Sequence, residues 1–143
     1  MFLGTYAPKL DDKGRVILPA KFWAELESGL VVTLGLERCL YVYSSREFEE
    51  IHKKLRATPA VTKQDRDYLR MFLSGANAEV PDAQRRVTIP AQLRAYAGLQ
   101  RELTVVGVGN HAEIWDTAVW EKYYAEQSET FATLTEEVIP GLF

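Results

Sequence analysis

An α+β fold is predicted, in which one β-rich unit with short helices occurs twice and the two copies pack as a pseudo-dimer. Three observations predict it. Asp11-Asp12-Lys13-Gly14-Arg15-Val16-Ile17-Leu18-Pro19-Ala20 matches Asp82-Ala83-Gln84-Arg85-Arg86-Val87-Thr88-Ile89-Pro90-Ala91, with Asp, Arg, Val, Pro and Ala coinciding at five of ten positions. After a one-residue slip the likeness continues: Val31 to Leu36 aligns with Leu103 to Val108, Val42-Tyr43 with Ile114-Trp115, and Phe48 with Trp120. Finally, a four-strand unit of about 45 residues buries too little apolar surface to stand alone, so two copies are expected to share one core.

Each copy reads as strand, turn, strand, short helix, strand, turn, strand, helix. Arg15 to Leu18 and Arg86 to Ile89 are runs of strand-forming residues stopped by proline. Asp12-Lys13-Gly14 has turn chemistry. Pro19 and Pro90 suit a first helical turn, where the missing N–H is not needed. Phe22, Trp23 and Leu26 then recur at helical spacing, as do Leu93, Tyr96 and Ala97, with Gly29 and Gly98 as stops. Glu37-Arg38 and Gly109-Asn110 join paired strands. Ser44 with Glu47 reads as a capping box before a helix carrying Phe48, Ile51 and Leu55, and Asp116 reads as the cap of the matching helix. Between the copies, Thr62 to Ser74 carries Tyr68, Leu69, Phe72 and Leu73 at helical spacing. The expected organisation is a first repeat over 5–47, a helical connector over 48–75, a second repeat over 76–119, and a C-terminal helix and tail over 120–143.

Composition narrows the function. Cys39 is the one cysteine, which excludes an intrachain disulfide and a cysteine-based zinc site, and His52 and His111 lack metal-ligand spacing. No cofactor is expected. No apolar run approaches a membrane span, and the first residues do not have the pattern of a signal peptide. The net charge of −3 disfavours nucleic acid at first sight, but its distribution does not. Residues 9–22 carry a net +2 and residues 79–94 a net +1, whereas residues 112–143 carry a net −6. A local positive footprint suffices for DNA. Trp23, Trp115, Trp120 and Cys39 read as core residues.

Both basic segments hold an Asp-x-x-x-Arg motif. Once alone, this pattern would be an ordinary hairpin ion pair; twice, inside one longer pattern, it marks a site. Arg15 and Arg86 can donate paired hydrogen bonds to guanine O6 and N7, or pair with phosphate. Lys13 and Arg85 suit phosphate anchoring, which positions without reading sequence. Asp11 and Asp82 suit a structural role, accepting turn N–H bonds and orienting the arginine, since a carboxylate near phosphate is repelled. The copies differ before the arginine, Gly14 in one and Arg85 in the other, a difference that would allow the second turn its own shape.

Duplicated Asp-x-x-x-Arg-Val-x-Φ-Pro-Ala, with Φ apolar, and the opening Met-Phe-Leu-Gly-Thr-Tyr resemble the MraZ family of the SpoVT–AbrB superfamily, over nearly the whole chain. The resemblance implies a swapped-hairpin, AbrB-like pseudo-dimeric barrel. It implies a cytoplasmic, nucleoid-associated regulator that assembles into homo-oligomeric rings. The implied partner is double-stranded DNA bearing short G-rich repeats upstream of a division and cell-wall operon, with Arg15, Arg86, Asp11 and Asp82 as the carried-over motif residues. The apolar residues Phe2, Leu3, Phe131, Leu134, Leu142 and Phe143 at the chain ends are expected to seal contacts between neighbours. The competing class is an antitoxin-like protein-interaction module on the same fold. No nucleophile, base and acid set points to an enzyme, and no small-molecule substrate is expected.

Overall fold

The computed structural model describes residues 1–142; Phe143, one of the tail residues expected at a contact, lies outside them. Eight strands form in chain order: β1 (Thr5–Tyr6), β2 (Arg15–Ile17), β3 (Leu30–Leu34), β4 (Leu40–Ser44), β5 (Asn77–Glu79), β6 (Arg86–Thr88), β7 (Leu103–Gly107) and β8 (Ala112–Asp116). Five α-helices accompany them: α1 (Trp23–Leu26), α2 (Ser45–Ala57), α3 (Lys63–Ser74), α4 (Ala91–Ala97) and α5 (Thr117–Ala132). Six strands make one antiparallel sheet in the order β1-β7-β8-β4-β3-β5, and β2 pairs with β6 in a separate ribbon. This is the expected α+β, β-rich architecture with short helices.

The two copies exchange strands. β1 of the first copy pairs with β7 of the second, and β5, which opens the second copy, pairs with β3 of the first. In the ribbon, Val16 faces Val87, its own counterpart in the repeat. In the large sheet, Tyr41 of β4 faces Glu113 of β8, again its counterpart after the one-residue slip. A local twofold axis therefore passes through both ladders. One apolar cluster spans the copies, with Val16, Leu18, Leu26, Leu30 and Leu40 of the first packed with Val87, Ile89, Leu103 and Ile114 of the second. The burial of β3 on both faces follows from this core on one side and α3 on the other, where Thr33 Oγ1 donates to the carbonyl of Phe72 at 2.6 Å.

Three details differ from the reading of the sequence. Phe2 does not face a neighbouring subunit: it is buried, its backbone exchanges hydrogen bonds of 2.8 Å with Gly109, and its ring packs edge-on to Phe22. Gly107 permits this, because a Cβ there would lie 2.3 Å from the backbone nitrogen of Leu3. Ser44 caps α2 by accepting from the Glu47 N–H at 3.1 Å, but the reciprocal half of the box is absent among the described residues, and Glu47 Oε1 instead accepts from Asn110 at 3.4 Å. Asp116 stands at the N-cap of α5 with its carboxylate turned to the Gln100 N–H at 3.0 Å. A full capping box does form at α3, between Thr62 and Asp65.

Candidate nucleic-acid interface

The two Asp-x-x-x-Arg segments fold into the same turn. Asp11 N–H donates to the Arg15 carbonyl at 2.8 Å, and Gly14 N–H returns to the Asp11 carbonyl at 3.0 Å. Asp11 Oδ1 accepts from the N–H groups of Lys13 and Arg15, both at 2.9 Å, while Oδ2 accepts from Arg15 Nε at 2.8 Å. In the second turn, Asp82 N–H donates to the Arg86 carbonyl at 3.1 Å and Arg85 N–H to the Asp82 carbonyl at 2.8 Å. Asp82 Oδ1 accepts from Gln84 and Arg86 N–H at 2.9 and 2.8 Å, and Oδ2 from Arg86 Nε at 2.7 Å. The freedom of shape that Gly14 and Arg85 would allow is not used. Both stand in the left-handed region, at φ 77° and 62°, so Arg85 adopts a conformation that L-residues resist.

These bonds fix the electrostatics. The Arg15 N–H, ahead of its side chain and the Lys13 N–H, holds the Asp11 carboxyl below its ordinary value. The Arg86 N–H, followed by the Arg86 side chain and the Gln84 N–H, does the same for Asp82. Each guanidinium is gripped by its Nε edge, and among the described residues no hydrogen bond engages the Nη atoms of Arg15 or Arg86. The side chains keep 24% and 30% of their surface exposed, and the bond at Nε holds each guanidinium in place.

The ribbon brings the two turns onto one face. Val16 and Val87 point into the core, and by strand alternation Arg15, Ile17, Arg86 and Thr88 stand on the outer face. The register sets Arg15 across from Thr88 and Ile17 across from Arg86. Arg15 and Arg86 both line one shallow groove of about 350 Å³ with Pro8, Lys9 and Ile17. Lys13 is exposed beside the first turn. Arg85 is also exposed, with its guanidinium 5.6 Å from the centre of the buried Trp23 ring.

Sequence reasoning missed Arg94. It reaches from α4 of the second copy to the apex of the first turn, where a Cβ on Gly14 would lie 2.9 Å from its guanidinium carbon. Its Nε donates to the Ile89 carbonyl at 2.9 Å. The counterpart of Arg94 in the repeat is Trp23. The two turns thus carry complementary solutions: glycine beneath an arginine in one, arginine above a tryptophan in the other. That reciprocity, readable once 14 is set against 85 and 23 against 94, was the available signal.

Among the described residues, no group of three or more His, Cys, Asp or Glu side chains is placed to hold a metal, and no helix is long and apolar enough to cross a membrane. Cys39 is buried, and burial pushes its thiol far up.

Comparison with known proteins agrees with the repeat. The family model described as "MraZ protein, putative antitoxin-like" matches twice, at residues 1–71 and 72–140. The Transcriptional regulator MraZ of Leifsonia xyli subsp. xyli is 65% identical over 143 residues, covering the whole of both chains. The proteins of that name from Kocuria rhizophila and Thermobifida fusca are 62% and 58% identical, over 100% and 99% of each chain. The chain belongs to the MraZ family, a family of transcriptional regulators and not of enzymes.

Proposed function

We propose that this chain is a sequence-specific DNA-binding transcriptional regulator that docks the outer face of the β2–β6 ribbon, with its two turns, on double-stranded DNA. The observation that carries this reading is the pair of arginines presented on one face, each oriented by an aspartate through Nε and open at Nη. A guanidinium held this way offers two parallel donors to guanine O6 and N7, and a two-stranded ribbon is a shape the major groove admits. Lys13, Arg85 and Arg94 surround the face and suit phosphate contacts, while Asp11 and Asp82 structure the turns. The site bound is a set of short G-rich repeats upstream of the chain's own division and cell-wall operon, which the protein represses in the nucleoid.

One chain presents only two turns and a negative total charge, so binding is the work of a homo-oligomeric ring that sets many turns against repeated sites. The chain end supports assembly: Phe131, Leu134, Val138, Ile139 and Leu142 are exposed, an apolar set costly to leave in water. A mobility shift on the upstream DNA tests the proposal. Arg15→Ala and Arg86→Ala should each weaken specific binding by about 1–3 kcal/mol per turn engaged while gel filtration shows assembly unchanged. Wild-type affinity in both variants would overturn it. It would leave the antitoxin-like protein-interaction reading in its place.

A further inference from the structure

The outer face of the ribbon is not the same at its two ends. The twofold relation that matches Val16 to Val87 also matches Ile17 to Thr88, so one half of the face carries an apolar side chain where the other carries a hydroxyl. Ile17 is 53% exposed, stands across the strands from Arg86, and lines the groove that Arg15 and Arg86 share. A single exposed apolar residue ordinarily calls for no explanation. This one lies on the same face as two arginines whose Nη atoms are unengaged, and a cross-strand neighbour sits only about 5 Å away between Cβ atoms.

If that face enters a major groove, which is the reading proposed above and on which this inference rests, the chemistry Ile17 meets is limited. Base edges there present hydrogen-bond donors and acceptors and a single apolar group, the C5 methyl of thymine. A threonine can hydrogen-bond to several bases or set its methyl against thymine, and so discriminates little; an isoleucine offers only apolar surface. We infer that Ile17 is a specificity-determining residue that contacts the C5 methyl of a thymine neighbouring the guanine read by Arg86, and that Thr88 imposes no matching demand on the other half.

Replacing thymine with uracil deletes only that methyl group, which makes a clean test. A duplex selected by the full chain from a random-sequence pool would be resynthesised with deoxyuridine at one thymidine at a time. One replacement should lower affinity about fourfold, the worth of burying roughly one methyl group. Ile17→Ser, which has no methyl to set against thymine, should bind the thymine and uracil duplexes alike, near the affinity of the wild type for the uracil duplex, whereas Thr88→Ala should keep the fourfold difference. Because Ile17 is on the surface, thermal melting should show Ile17→Ser folded. The inference is overturned by a selected site with no fixed thymine, by a wild type indifferent to every uracil, or by an unchanged uracil effect in Ile17→Ser. If Ile17→Ser alters sedimentation but not the uracil effect, Ile17 belongs to a contact between copies of the chain. Failure of the wild type to bind any duplex at low salt would overturn the DNA-binding reading itself, a result distinct from binding without methyl discrimination.

Discussion

At the scale of single residues, the two aspartates matter more for what they hold than for what they could touch. Each accepts three hydrogen bonds that define its turn and fix its arginine. Both carboxyls titrate below their ordinary 3.8, held down first by the N–H of the motif arginine. The stability this contributes is complete above 3.8 and is lost as pH falls through the lower, folded value. Carboxyl NMR resonances of Asp11 and Asp82 should therefore show midpoints under 3.8, and Asp11→Ala should weaken DNA binding without removing a positive charge. Gly14→Ala should destabilise by about 1–2 kcal/mol from its left-handed backbone, with Arg94 crowding the new methyl, as denaturant titration would show. The aspartate and arginine of each turn were legible because their bonds join residues no more than four apart. Arg94 was not, because α4 of one copy must fold across the ribbon to reach the turn of the other.

At the scale of elements, the strands and most helices follow from apolar spacing and proline stops, whereas their partners do not. Val16 and Val87 read as buried strand residues, yet nothing local says that β2 pairs with β6 while β1 reaches β7. Exchange between copies is a non-local choice, decided by which arrangement closes one core over both. The helix starts show the same limit. Ser44 and Asp116 stand where caps were expected, but the partners of Glu47 and Asp116 come from Asn110 and Gln100, brought close by the fold. The ribbon is expected to be the least tolerant element. Val16→Asp would bury a carboxylate with no partner at the twofold axis and should abolish cooperative thermal unfolding, while Thr88→Ala on the outer face should shift the melting midpoint little.

At the scale of the whole molecule, the shared cluster means that neither copy has a core of its own. Leu18→Ala and Ile89→Ala, counterparts in the two copies, should each cost about 2–5 kcal/mol, and each should shift one common unfolding transition in urea. Two separate transitions would contradict the shared core. Charge acts at this scale too. Lys13→Ala should flatten the dependence of log affinity on log salt by about one contact's worth while leaving base preference unchanged, in titrations on selected and scrambled duplexes. Truncating the chain after Thr133 should reduce assembly in analytical ultracentrifugation and, through it, the steepness with which affinity rises with repeat number.

Val16 facing Val87 has a historical meaning as well as a geometric one. A ladder in which a residue meets its own counterpart is what two separate copies of a half-length chain would form on associating. Joining them through α2 and α3 turns a concentration-dependent encounter into a permanent one, so the two turns stay together however dilute the protein becomes. It also frees each half from serving both sides of an axis. Once a mutation no longer appears twice, Gly14 can sit under an arginine while position 85 lays its own arginine on a tryptophan.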